Sequence, residues 1–501
     1  MTLRAALARS AATVAVAGLG GFILCFAPVV QPDGAARAAA LAGFRVAFGL
    51  LLAFRLHRLR RAAPVLWPSQ RGSPWDRRLP LRRAIDLWQL GAVALALGLC
   101  TPAAALVCLA LGLYVFRRSY THSLEDILFQ MTSFFLILVD AGAAWSIDAR
   151  WGLSGAILDP VLALNLWWTA LALLLVSAGF EKLFSPLWRR GLGFSMFIGL
   201  PHLVQRRFRF LRRMPALGWV LSWTTIVTEL GYLPSGLALP VRLALAVVLI
   251  GFACSLFLVV DISFIGQTLL LNVALFGFFD VARLLGGAAA PASHGPGLLV
   301  AVMLVALVAI PTLAAPLGPV TRVLGRLVRY TVGLEPIQVF TDSQLHGIYL
   351  YRVSARSDGE AGELSLVQTF CDDGSSGPLQ RWHSRVFLKM TYEVTDLCRV
   401  ALRDGWSAAE KTIQYQAAHD LLRAGHAELA GLDPAARRRV SELVLSIRSV
   451  ELDQQESSGL APPRFHIGEW HCLLAARLGE GRLEPPRLLS LPDRPLRTAR
   501  R

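Results

Sequence analysis

Apolar runs, each close to the length that crosses a bilayer and separated by arginine-rich loops, recur along the first two thirds of the chain. About 20 residues of helix span a bilayer core, so each run reads as a membrane helix. The runs fall at 11–30, 38–54, 85–116, 124–147, 161–180, 217–233, 237–260, 262–282 and 297–317. The run 85–116 is long for one crossing, and Thr101-Pro102 breaks its middle, so it reads as a tight hairpin of two short helices. The first run is read as a retained span rather than a signal peptide, because Pro28 and the polar residues Gln31 to Asp33 stand where a small-residue cleavage site would be.

The expected fold class is therefore an all-α polytopic membrane bundle of about ten spans, followed by a small α+β soluble domain. A mean hydropathy of +0.51 with only 17% charged residues agrees with that class. The net charge of +16 is not a nucleic-acid signature here. The arginines crowd into short loops between apolar runs, where a positive-inside bias and anionic lipid account for them, and no zinc-finger or helix-turn-helix pattern accompanies them. With both termini in the cytoplasm nearly every arginine cluster lies inside; Arg242 and Arg283 are the exceptions. The seven cysteines are scattered without a C-x-x-C pair, so neither a disulfide framework nor a zinc site is expected.

The stretch LALLLVSAGFEKLFSPLWRRG, from Leu171 to Gly191, stands apart. Among 50 basic residues only Lys182, Lys389 and Lys411 are lysine, and Lys182 alone lies in the apolar part. Arginine keeps its proton, whereas a lysine amine withdrawn from water can give one up. Lys182 is thus a candidate base, and a snorkelling cation at a helix end is the plain alternative. His122 precedes one run and Lys182 closes the next, so a short outer loop would bring both to the same, cytoplasmic, face. Asp140 lies where a span interior is expected and needs a partner or a polar cavity. Glu229, among Ser222, Thr224, Thr225 and Thr228, either lines the same cavity or bonds between helices. Glu125 and Asp126 open a helix and read as partners of its dipole.

These residues carry a resemblance. Tyr120-Thr121-His122-Ser123, Phe129-Gln130, Asp140-Ala141 and Trp145-Ser146-Ile147-Asp148 resemble blocks of the vitamin K-dependent gamma-carboxylases. Ala178-Gly179-Phe180-Glu181-Lys182-Leu183, then Trp188 and Gly191, is similar to that family's Ala-Gly-x-x-Lys-Leu and Trp-x-x-Gly. Phe44 to Gly49 looks like the opening helix of the same membrane module, the HTTM domain, and Thr228-Glu229-Leu230 fits its bacterial members. The resemblance covers roughly residues 37 to 285. It implies that Lys182 deprotonates a reduced vitamin K-type quinone with His122 assisting. It also implies that Thr121, Asp140, Trp145 and Glu229 belong to the cofactor pocket, and that a peptide glutamate is carboxylated. Thr121 stands where the family has Asn, and the eukaryotic Phe-His-x-x-Asn pattern has no counterpart.

The resulting organisation is a first span and loop at 1–36, an HTTM-like domain at 37–328, a cytosolic α+β domain at 329–484 and a Pro/Arg-rich disordered tail at 485–501. In the soluble part, 337–340, 346–353 and 364–370 alternate like strands, and 465–474 reads as a returning strand. Residues 385–402, 408–429 and 433–453 have helical spacing, the last starting at Asp433-Pro434. The run His466 to Cys472 splits its ligand-type residues over two strand faces, so no metal is assigned. The expected setting is a bacterial inner membrane, with lipid and a peptide or protein substrate as partners and no nucleic acid. A non-catalytic HTTM protein that binds lipid or quinone, or serves peptide maturation or export, is the alternative. A transporter ranks last because no internal repeat is visible.

Overall fold

The computed structural model describes residues 34–60, 79–116, 124–195, 206–259 and 263–286 of the apolar part. Of the C-terminal part it describes 347–357, 363–368, 433–452 and positions within 422–429 and 465–488. The apolar part is helical: α1 (Gly34–Leu59), α2 (Leu81–Leu97), α3 (Thr101–Phe116), α4 (Leu124–Leu138) and the short α5 (Ile147–Trp151) come first. Then follow α6 (Pro160–Phe184), α7 (Pro186–Arg189), a 3-10 helix (Arg206–Arg213), α8 (Pro215–Gly231), α9 (Leu239–Leu258) and α10 (Ser263–Gly286). Consecutive helices α1 to α4 pack side by side, α6 pairs with α8, α9 with α10, and α10 closes against α1 and α4.

Trp167 of α6 sits at the centre of this bundle. Phe44 meets it edge-on at 5.0 Å, Phe135 stacks on it at 5.7 Å and Phe276 meets it edge-on at 5.9 Å. Its indole N–H donates to Asn272 at 2.9 Å, and the Asn272 amide donates to Thr132 at 3.2 Å. Helices α1, α4, α6 and α10 are thereby joined by packing and by a satisfied polar chain, which a dry interior requires.

The expected hairpin within 85–116 is present. Gly98 takes a left-handed φ of 67° and its N–H and that of Leu99 return to Leu95 and Ala94, which ends α2. The Asp148 carboxylate accepts from Cys100 N and Thr101 N, both at 2.7 Å, and so caps α3. A side chain at Gly98 would collide with the Arg45 guanidinium. Gly98→Ala is expected to cost about 1–2 kcal/mol for the left-handed backbone alone, and more for displacing Arg45; thermal unfolding in detergent reads the loss.

The count of about ten spans is not carried by the structure. Among the described residues four helices are long and apolar enough to cross a membrane: Gly34–Arg58, Pro160–Phe184, Leu239–Leu258 and Ile265–Leu285. Thr101–Phe116 and Asp126–Leu138 are apolar but shorter. The run 124–147 was expected to be one span, yet α4 stops at Leu138 and rises only about 22 Å. Beyond it Arg45 draws in the Trp145 carbonyl at 2.6 Å, and Ser146 caps α5 by accepting from Ala149 N at 2.8 Å, so the backbone turns. The runs 11–30 and 297–317 lie outside the described residues. Leu50, Phe54, Val247 and Leu285 point outward from three of the four long helices. Outward apolar faces on helices of bilayer length mark a membrane protein.

The C-terminal sheet is antiparallel, in the order β2-β1-β3-β5-β6. It is formed by β1 (Gly347–Ser357), β2 (Glu363–Gln368), β3 (Val440–Leu452), β5 (His471–Gly479) and β6 (Arg482–Leu483). The short β4 (Phe465–Ile467) pairs with β3, and β7 (Arg487–Leu488) with β5. The helix expected over 433–453 is a correction: only α11 (Pro434–Arg439) is helical and the rest is the central strand. Val440, Leu443, Val444 and Ile447 fit helical spacing, but in β3 both faces are buried, so period 2 is hidden. The stretches 337–340 and 385–402 and most of 408–429 lie outside the described residues, as does the end of the chain from 489.

Candidate proton-transfer site

Helix α6 begins where Asp159 accepts from Leu162 N at 2.8 Å, with Pro160 in the first turn. It ends abruptly after Lys182. Ser185 returns its N–H to the Lys182 carbonyl at 3.1 Å, and Pro186 opens α7. This turn folds Trp188 back beside the lysine, whose amine lies 5.4 Å from the indole centroid. Helix α8 comes close because Gly179 has no side chain; a Cβ there would sit 3.1 Å from that of Glu229.

The result is a closed ion pair. Lys182 Nζ lies 2.7 Å from Glu229 Oε1 and 2.6 Å from Oε2, and the two side chains are only 5% and 4% exposed. The amine does not snorkel. With water nearly excluded, each group is the other's charge partner, and the pair ties α6 to α8. The Trp188 indole lies beside the amine, and Leu230 packs against Gly179 next to Glu229.

Of the residues singled out in the sequence, Lys182 and Glu229 come together. Asp140 and Trp145 do not join them. Leu158 N bonds the Leu138 carbonyl at 3.3 Å, which sets the loop after α4 beside the start of α6. From Pro160 to Lys182 the helix rises about 33 Å, so that loop and the ion pair are at opposite ends. Burial pushes the Asp140 carboxyl above its usual range, against backbone hydrogen bonds from Gly155 and Gly142 and the charge of Arg37. Trp145 is 68% exposed with φ 48°, and its carbonyl, not its ring, is what Arg45 engages. Thr121 and His122 lie outside the described residues; the helix that follows them, α4, packs against α6.

The sequence reading did not name the partners of two other buried charges. Arg242 Nε donates to Asp280 at 2.7 Å, joining α9 to α10, and its guanidinium lies 5.9 Å from the Trp168 ring. Arg242, the exception to the inside bias within the run 237–260, is thus charge-paired inside the bundle. Asp126, read as a partner of the α4 dipole, lies in the first turn of α4 and is buried; Arg55 approaches it at 3.9 Å and lies 4.4 Å over Phe129. An arginine or acid inside an apolar run was the available signal, but nothing in the spacing names its partner. Among the described residues no group of three His, Cys, Asp or Glu side chains could hold a metal ion.

No protein-family model, curated protein or solved structure matches this chain.

Proposed function

We propose that this protein is a membrane enzyme of the vitamin K-dependent gamma-carboxylase type, with Lys182 as its base. The observation that carries the reading is the burial of the only lysine in the apolar part against Glu229, instead of an amine extended into water. Glu229 takes the ammonium proton and leaves a neutral amine. Lys182 then accepts the hydroxyl proton of a reduced quinone at the end of α6, and His122 hydrogen-bonds beside it. A bound quinone of this kind supplies oxygen-dependent formation of a strong base, which serves carboxylation of a peptide glutamate. The chain's own part is orientation, exclusion of water and one proton acceptor. In this reading the protein occupies a bacterial inner membrane with its C-terminal part in the cytoplasm.

One observation favours a second reading. Arg242 and Asp280 form a buried pair of the same kind, so Lys182–Glu229 could equally be an interhelical clamp in a non-catalytic protein that binds lipid or quinone. Oxygen-dependent epoxidation of a reduced vitamin K quinone by the purified wild-type protein in lipid separates the two. Turnover is expected; its absence under conditions where the fold is intact favours the clamp.

A further inference from the structure

Among the described residues, Gln130 of α4 and Trp88 of α2 are buried without a hydrogen-bond partner. Each is 2% exposed; neither Nε2 nor Oε1 of Gln130 is bonded, and the Trp88 indole N–H is unbonded. Exchanging the amide oxygen and nitrogen of Gln130 changes nothing, because both atoms lack a partner. A buried donor or acceptor left unpaired carries its full desolvation cost, so such a pair in one interior asks for an occupant.

The two side chains lie in one layer. Gly49 of α1 abuts Ala92 and Ala96 of α2, and Arg60 pairs with Asp86 at 3.1 Å, which brackets Arg55 at the level of Trp88. Arg55 in turn lies 4.4 Å over Phe129, the neighbour of Gln130. Both side chains also face the same space. Trp88 sits on α2 between Gly91, which faces Val107 and Cys108 of α3, and Ala92, which faces α1. It therefore points between α1 and α3, where α4 closes the group. Gln130 is one turn beyond Asp126, which faces Arg55 of α1. It stands on nearly the opposite side of α4 from Thr132, which bonds Asn272 of α10. The walls of the layer are aromatic: Phe116 meets Trp88 edge-on at 5.3 Å, and Phe48 lies 5.5 Å from Phe129.

We infer that the interior of α1–α4 binds the hydroxyl of a lipid-soluble, phenol-type ligand, held by Gln130 and Trp88. A hydroxyl donates to Oε1 while it accepts from Nε2 or from the indole; a carbonyl only accepts and would leave Oε1 unpaired. The aromatic walls suit a flat ring behind that hydroxyl. This layer lies about 15 Å along the bundle from Lys182, so the inference is independent of the chemistry there.

Thermal unfolding of the full-length protein in detergent, titrated with 1-naphthol and separately with 1-methylnaphthalene, tests it. A compound that binds the folded state raises the midpoint with its concentration. 1-Naphthol is expected to act at about ten- to a hundredfold lower concentration than 1-methylnaphthalene, which has the ring but no hydroxyl. Q130L should remove that preference. W88F, which keeps a ring, should weaken 1-naphthol about tenfold, and it tests the site if Q130L does not fold. Equal shifts from the two compounds in the wild type overturn the inference, as does a preference that survives in both variants. No shift with 1-naphthol, the result if water alone meets the two groups, overturns it as well.

Discussion

Lys182→Arg is expected to lower quinol epoxidation by about 10²–10⁴-fold, the usual contribution of a positioned general base. The guanidinium keeps the positive charge and can still engage both oxygens of Glu229, so the pair that joins α6 to α8 survives. What it cannot do is become neutral, because an arginine stays protonated throughout the working range. The loss should therefore appear in turnover with little change in thermal stability. Purified protein in lipid with a reduced vitamin K quinone provides the assay, and no peptide substrate is needed. Full turnover in the variant would move the base elsewhere.

Glu229→Gln is expected to have the largest effect on stability, about 3–5 kcal/mol, because it leaves a buried ammonium beside a neutral amide. Lys182 is 5% exposed and its carboxylate partner 4%, so water cannot easily replace the lost interaction. The double variant K182M/E229L removes both charges and fills the space with apolar atoms. It should recover most of that loss, since well-packed hydrophobic replacements of buried pairs are often neutral or stabilising. Unfolding of the single and double variants in one detergent reads both numbers. A single-variant cost below about 1 kcal/mol would be the behaviour of a solvent-exposed pair and would contradict the buried geometry.

Much of the helical framework was legible because apolar length is a local property. Thr101-Pro102 marked the hairpin between α2 and α3, and the long run ending at Lys182 became α6. The end of α4 was not legible, because the turn after Leu138 is held by Arg45 from a helix far back in the chain. The sheet failed where its central strand is buried on both faces, so that Val440 to Ile447 carried a helical spacing as well. At the site, Lys182 announced itself by its rarity. Its partner did not, since 47 residues separate Lys182 from Glu229 and only the approach of α8 over Gly179 selects that acid over Asp140. Arg242 was legible only as a charge within an apolar run that needs a partner, and the fold alone names Asp280.

Because the chain holds only three lysines, amine-nitrogen NMR on lysine-labelled protein in lipid can observe Lys182 individually, with K182R assigning its signal. The account predicts an amine whose protons exchange slowly with water and whose signal moves in E229Q. A Lys182 amine that exchanges like a free surface lysine and ignores E229Q would contradict it.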